Sequence, residues 1–348
     1  MEINGVDKNI NLGKRVLLRS PNWLGDAIMT LPAVHQLRNH LDKDASISIL
    51  TPQKLLELWN FVPGIEQVIA SHKNPFTTAT EVKERDFSSS IIFPNSPRTA
   101  LELFLAKVPR RYAYHGKMRK WMLTESWNKD FSNSSSDQIH HQKYDYLKLI
   151  DLVCGIQTEE DHLAEKELIH RPARPQIDYG YIALCPGAEY GPAKRWPEER
   201  FAKVAYALAK KYQLRVMLLG AVIDQSSAQK VRQNLGVDVE CYDQTGKTSL
   251  AEFMKWIAHA DFVLCNDSGA MHLAAEFKRP GIAIFGSTEE LLTGPIHPSM
   301  HVVRERVSCS PCFLRECPVD FRCMQRVTVD MVLESAEKIL SNESFSKS

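Results

Sequence analysis

The chain has 348 residues, with 43 Lys plus Arg against 42 Asp plus Glu and a formal charge of +1. That length leaves room for about two domains and a large core, and the near-neutral balance argues against a protein held on nucleic acid by bulk charge. Hydrophobic residues at 44% and charged residues at 24% fit an ordinary globular chain, and no apolar run reaches the roughly 20 residues of a bilayer span. Secreted mini-proteins, membrane channels, coiled coils and disordered tails are therefore set aside. The polar start, with no apolar h-region, predicts no signal peptide. Of the eight cysteines, Cys154, Cys185, Cys241 and Cys265 lie scattered in apolar stretches, which predicts a reduced cytoplasmic interior.

Short apolar runs alternate with helical patterns along the chain. Residues 15–19 (RVLLR) read as a strand, followed by a helix over about 25–40 and further strands at 47–50, 67–69 and 90–93. A polar stretch, 158–178, with Glu159, Glu160 and Asp161 and prolines at 172 and 175, reads as a domain end and linker. Residues 133–137 (NSSSD) read as a polar loop within the first half. The pattern then restarts with a strand at 181–185, a helix at 197–212, a strand at 215–219 and helices near 226–235 and 250–259. A strand at 262–265, a helix near 270–277 and a strand at 282–285 complete it. Such alternation predicts an α/β protein with two doubly wound parallel sheets, each covered on both faces. The expected division is 1–165, a linker at 166–178, and 179–348. Two such domains imply a cleft between them, with ligands beyond the carboxyl ends of the strands.

Three strand-to-helix corners carry the chemistry. In the first, Ser20-Pro21-Asn22-Trp23-Leu24-Gly25-Asp26, Asp26 falls in the first helical turn. It reads either as an acid favouring a helix N-terminus or as a carboxylate aimed into a crevice as a general base. The second, from Cys185 to Glu199, has Gly187, Glu189, Lys194 and Arg195 before Pro197. It is a solvated loop or one contacting a diphosphate, since a lysine offers a point charge to phosphate oxygens. In the third, Cys265-Asn266-Asp267-Ser268-Gly269-Ala270-Met271-His272, small residues open a helix whose N–H groups can meet an anion. His272 lies four residues after Ser268, on the same face. No Walker A or GxGxxG motif is present.

Together the runs SPNWLGDAIM (20–29), PGAEYGPAKRWP (186–197), Thr245-Gly246 with Ser249-Leu250, and NDSGAMHLAA (266–275) resemble the ADP-heptose:lipopolysaccharide heptosyltransferases, glycosyltransferase family 9. The resemblance extends to the cysteine-rich run at 309–324 and is strongest to the members that add the second inner-core heptose. It implies a GT-B fold, two Rossmann-like domains facing a central cleft, with acceptor on the first and nucleotide-sugar on the second. It also implies inverting, metal-independent transfer of L-glycero-D-manno-heptose from ADP-heptose to the lipopolysaccharide inner core, with no cofactor. Carried over by position, Asp26 matches the catalytic base and Lys194 the lysine at the donor phosphates. Asp267 matches the acid at the donor sugar. Gly187, Ser268, Gly269 and His272 line the donor site, Thr248 and Ser249 lie where the adenosine is held, and Glu189 is a further donor contact. Other family 9 transferases, or a GT-B sugar-nucleotide epimerase, are the alternatives.

Lys107, Arg110, Arg111, Lys117, Arg119 and Lys120 form a basic stretch without acids, interleaved with Tyr112, Tyr114 and Trp121. It reads as a solvated face or as an acceptor site for an acidic glycolipid at a membrane surface. Asn95, Arg98, Arg110, Arg111 and Lys120 are the expected acceptor residues. The partners expected are ADP-heptose, a Kdo-lipid A or heptosylated lipopolysaccharide acceptor and the inner face of the cytoplasmic membrane, and no nucleic acid. The expected location is cytoplasmic and peripheral. Asp42-Lys43-Asp44 matches the Asp-x-Asp of metal-using transferases, but falls in a turn away from the corners. Cys309, Cys312, Cys317 and Cys323 lie within 15 residues. Their spacing departs from paired zinc knuckles, so a free-thiol or structural role is favoured over a metal.

Overall fold

A computed structural model describes residues 11–116, 118–129, 140–157 and 167–342. The expectations placed on Lys117, on the polar loop 133–137 and on Glu159–Asp161 lie outside the described residues. Contacts divide the chain into two units, 1–170 and 171–348. The residues flanking the division are each anchored in their own unit. The His170 N–H donates to the Phe61 carbonyl, while the Arg171 guanidinium donates to the carbonyls of Ala258 and Phe277.

In unit 1 the strands are β1 (Arg15–Arg19), β2 (Ser46–Pro52), β3 (Ile65–Ser71), β4 (Ser89–Ile92), β5 (Arg110–Tyr114) and β6 (Glu125–Trp127). The helices are α1 (Leu24–Met29), α2 (Leu31–His40), α3 (Leu56–Trp59), α4 (Pro75–Lys83), α5 (Pro97–Leu105) and α6 (Lys143–Cys154). All strand pairs are parallel, in the order β3-β2-β1-β4-β5-β6. This doubly wound order reverses between β1 and β4. Leu17, Leu50, Ile92 and Ala113 form one core with Ala79 and Val82 of α4 and Leu103 of α5.

The single helix expected over 25–40 is two helices. Pro32 has no N–H for the carbonyl one turn back, and the Thr30 hydroxyl donates to the Ala27 carbonyl at 2.6 Å, closing α1 where α2 begins.

Unit 2 repeats the plan. Its strands are β7 (Tyr181–Cys185), β8 (Arg215–Leu218), β9 (Cys241–Asp243), β10 (Phe262–Asn266), β11 (Gly281–Phe285) and β12 (Met300–Arg304). They run parallel in the order β12-β11-β10-β7-β8-β9, reversing between β7 and β10. Its helices are α7 (Glu198–Tyr212), α8 (Gln225–Asn234), α9 (Leu250–Ala258), α10 (Gly269–Glu276), α11 (Glu290–Thr293), α12 (Arg322–Gln325) and α13 (Val329–Asn342). Strands β7, β10 and β11 are buried along their whole length, as expected of central parallel strands covered on both faces. Trp196, fully buried, pins the corner after β7. Its indole N–H donates to the Val327 carbonyl at 3.0 Å and its ring meets Phe201 edge-on. Among the described residues no helix is long and apolar enough to cross a membrane.

Candidate active site

In unit 1 the carboxyl end of β1 is held by a buried ion pair. Arg19 meets Glu102 at 2.9 Å, both nearly inaccessible. The same guanidinium donates to the Ser20 carbonyl and to Asn22 Oδ1, so it shapes the loop leading into α1. Burial pushes the Arg19 guanidinium below its ordinary range against the pull of Glu102. Ser20 donates to Thr51, which also accepts the indole N–H of Trp59. Beyond this braced loop, Asp26 occupies the first turn of α1 and is partly exposed. Tyr146 of α6 is buried and lies within the electrostatic reach of Asp26. Burial first, and that carboxylate second, hold its phenol well above the ordinary range. Tyr146 was not singled out from the sequence, because α6 lies more than 100 residues downstream.

The expected acceptor residues do not gather. Asn95 follows β4, next to β1 in the sheet, so it shares the carboxyl edge with Asp26. Its Oδ1 accepts from Arg119 at 2.9 Å. Arg98 opens α5 at the same edge, paired with Glu102 at 3.2 Å. Arg110 and Arg111 instead open β5. The register aligns Arg110 with Ser89, and Ser89 with Val16, which puts both at the amino edge, away from Asp26. Arg111 is also engaged, donating to the carbonyls of Met122 and Val108 and lying over the Phe104 ring.

Nor is the basic stretch one solvated face. Arg119 is fully buried, binding the carbonyls of Pro94 and Tyr114, and burial lowers its guanidinium to about 10. Lys107, Arg110 and Lys120 remain exposed. So do Met118 and Trp121, which sequence reasoning passed over as a pair. The Asp-x-Asp lies at the amino edge beside β2, where Asp44 pairs with Lys14 at 2.6 Å.

In unit 2 Asn266, at the end of β10, fastens two corners together. Its amide N–H donates to the Pro186 carbonyl at 2.7 Å, and its Oδ1 accepts the Trp196 backbone N–H at 3.0 Å. Between those points the loop turns through Gly187 and a short 3₁₀ turn, Pro192–Lys194. A Cβ on Gly187 would lie 2.1 Å from the Asp224 carboxylate, so any larger residue there must displace that side chain. Asp224 is buried, accepts the Ala221 N–H at 3.0 Å and faces Arg195 at 3.6 Å. Burial raises its carboxyl above the ordinary range. The sequence pattern gave no signal for Asp224, since a helix-start aspartate is common.

Lys194 and Asp267 meet at 2.5 Å, their side chains 12% and 5% exposed. Thr288, after β11, donates its hydroxyl to the same Asp267 oxygen. Lys194 also lies 4.8 Å from the centre of the Tyr190 ring. Ser268 is the N-cap of α10 without a side-chain cap bond, Gly269 begins the helix, and His272 is buried in its first turn. Asp267, Ser268, Gly269, His272, Lys194 and Gly187 thus cluster on the corners after β7 and β10, at the reversal point of the sheet. Glu189 is exposed on the same loop. Thr248 and Ser249 follow β9, on a loop that turns back toward β8, where the Gly246 N–H donates to the Gly220 carbonyl at 2.9 Å. There Ser249 caps α9 in a reciprocal pair with Glu252.

None of the four clustered cysteines is in a disulfide bond. Among the described residues no three His, Cys, Asp or Glu side chains are grouped to hold a metal.

The profile of glycosyltransferase family 9 (heptosyltransferase) matches residues 76–321. The chain belongs to that family. It is 27% identical over 319 residues to lipooligosaccharide heptosyltransferase 2 of Haemophilus influenzae, covering 83% of this chain and 88% of that protein. To lipooligosaccharide heptosyltransferase 2 of Campylobacter jejuni it is 26% identical over 337 residues, covering 94% and 99%. Among solved structures, the ADP-heptose lipopolysaccharide heptosyltransferase II of Escherichia coli aligns with a TM-score of 0.76 at 23% identity, covering 94% and 99%. That likeness shows the fold, GT-B with two Rossmann-like sheets. This family 9 glycosyltransferase therefore carries its expected donor residues mainly at one reversal point, and its expected base at the other.

Proposed function

We propose that this enzyme transfers L-glycero-D-manno-heptose from ADP-heptose to a heptosylated lipopolysaccharide inner core, with inversion and without a metal. The observation that carries the reading is the pairing of chemistries at the two reversal points. A partly exposed carboxylate follows β1, and a lysine beside an open helix N-terminus follows β7 and β10. The acceptor oxygen attacks the anomeric carbon, the bond to the β-phosphate oxygen breaks, and ADP leaves with the electron pair. Asp26 takes the acceptor proton in that step. Lys194 and the first N–H groups of α10 bind the diphosphate as it gains charge. Asp267 holds Lys194 in place before the donor arrives, and its carboxylate then receives sugar hydroxyls. Asn95 and Arg98 serve the acceptor, since they share an edge with Asp26.

Membrane association belongs to the same proposal. Met118, Trp121, Lys107, Arg110 and Lys120 are each exposed, Trp121 packing edge-on against Phe104, and exposed apolar and cationic side chains on one segment suit an anionic leaflet. The test is transfer itself: ADP-heptose and a heptosylated acceptor, with product mass and ADP release as readouts, in the presence and absence of EDTA. Turnover that survives chelation supports the reading. Loss of turnover in EDTA, restored by magnesium or manganese, overturns the metal-free step.

A further inference from the structure

The cysteine-rich segment after β12 is unused by the transfer chemistry, yet it is fastened to the loop that carries Lys194. The Tyr190 hydroxyl donates to the Phe313 carbonyl at 2.6 Å, and the Ala193 N–H to the Arg315 carbonyl at 3.0 Å. A Cβ on Gly191 would lie 2.4 Å from that same Arg315 oxygen, so the two loops touch backbone to backbone. From the other side, the N–H groups of Cys312 and Phe313 both donate to the Ser287 carbonyl, next to Thr288, which holds Asp267. Movement of this segment therefore reaches both partners of the Lys194–Asp267 pair.

Within the segment the four thiols are not equivalent. Cys317 folds back over the turn that follows it, and its Sγ accepts the Phe321 N–H at 3.2 Å. Cys309 is exposed, Cys312 and Cys317 are partly exposed, and Cys323 is buried. The Cys323 sulfur sits against Gly286, where a Cβ would meet it at 3.1 Å, and all three other thiols act on it electrostatically. We propose that this segment is a thiol-oxidation site, with Cys317 as the attacking sulfur and a second thiol of the same cluster as the resolving one, and that the resulting disulfide weakens donor binding by displacing the Lys194 loop. The effect on donor binding rests on the function proposed above.

The backbone N–H groups of Val319, Phe321 and Asp320 lower the Cys317 thiol below its ordinary range. Burial raises those of Cys154, Cys185, Cys241 and Cys265. Cys317 thus combines thiolate character with access, the pairing that makes a cysteine react with peroxide. The steps balance. The Cys317 thiolate attacks hydrogen peroxide, an S–O bond forms, the O–O bond breaks, and the hydroxide that leaves is protonated to water. A second thiolate then attacks the sulfenic sulfur, forming S–S and releasing hydroxide, which also becomes water. Two thiols and one peroxide give one disulfide and two waters, with two electrons passing from sulfur to oxygen.

The experiment uses the full chain. Reduced protein is alkylated at pH 6.5, and a separate sample is treated with hydrogen peroxide, mapped by peptide mass spectrometry and assayed for ADP binding. Cys317 is expected to alkylate first. Peroxide is expected to give a disulfide containing Cys317 that dithiothreitol reverses, with ADP affinity falling about 10-fold. Cys317→Ser is expected to keep full activity before peroxide and to lose nothing after it. A peroxide disulfide that lacks Cys317 would overturn the proposal. So would purified protein holding one zinc or iron per chain that shields all four thiols. A Cys317 disulfide with unchanged ADP affinity would overturn the coupling to the donor loop. Failure of heptose transfer by the untreated enzyme would instead count against the proposed function, because the disulfide map does not depend on turnover.

Discussion

Replacing Lys194 by Met removes one half of an ion pair whose two side chains are 12% and 5% exposed at 2.5 Å separation. Asp267 is then left as a buried carboxylate with the Thr288 hydroxyl as its remaining side-chain bond among the described contacts. Breaking a buried pair from one side costs about 3–5 kcal/mol. Residual water access to Lys194 puts this case near the lower figure, about 3 kcal/mol. At about 2–4 °C per kcal/mol for a domain of this size, the melting temperature should fall by about 6–12 °C. Replacing both residues, Lys194→Met with Asp267→Asn, removes the stranded charge and should recover at least half of that loss. Thermal denaturation of the two single variants and the double closes the cycle. Calorimetry with ADP should show affinity reduced about 10–100-fold in Lys194→Met, the worth of a charged hydrogen bond at about 1.5–3 kcal/mol. A double variant that loses the full sum of the two single losses would refute the pairing. Unchanged ADP affinity would refute the role of Lys194 in donor binding.

Two further outcomes follow from the same geometry. Gly187→Ala drives a methyl group into the Asp224 carboxylate, 2.1 Å away, and should cost about 1–3 kcal/mol in a melt. Adding Asp224→Ala should relieve that clash, and a Gly187→Ala protein melting like wild type would show that the corner is not so constrained. Arg111→Ala should cost about 1–3 kcal/mol of stability through the two carbonyls it abandons, while Arg110→Ala stays within about 0.5 kcal/mol. The reverse order of melting temperatures would contradict the placement of these arginines.

The central strands of both sheets are legible in the sequence because burial on both faces demands unbroken apolar runs, as in Tyr181–Cys185 and Gly281–Phe285. Strands β5, β6, β9 and β12 are not, since positions near a sheet edge tolerate Arg110, Glu125, Asp243 and His301. The break at Thr30 hides behind good helix formers on either side, and Pro32 is its one local signal. The corners after β1, β7 and β10 stand out because each joins an apolar strand to small or acidic residues at a helix start. What no local pattern conveys is long-range partnership. Arg119 looks like a surface cation until its carbonyl partners at Pro94 and Tyr114 are seen. Asp224 becomes part of the donor corner only through Gly187 and Arg195, and Tyr146 reaches Asp26 only through the packing of α6. Sequence spacing also misleads at Arg110 and Arg111, because adjacency in the chain to residues of the carboxyl edge does not place them on that edge.

The most direct test of the central claim is single-turnover transfer from ADP-heptose to a heptosylated lipopolysaccharide acceptor, comparing the natural enzyme with Asp26→Asn. A heptosylated product from the natural enzyme, with its rate lowered at least about 100-fold in Asp26→Asn while ADP affinity is unchanged, is the result this account predicts. Transfer by Asp26→Asn at the natural rate, or no transfer of heptose by the natural enzyme, would contradict it.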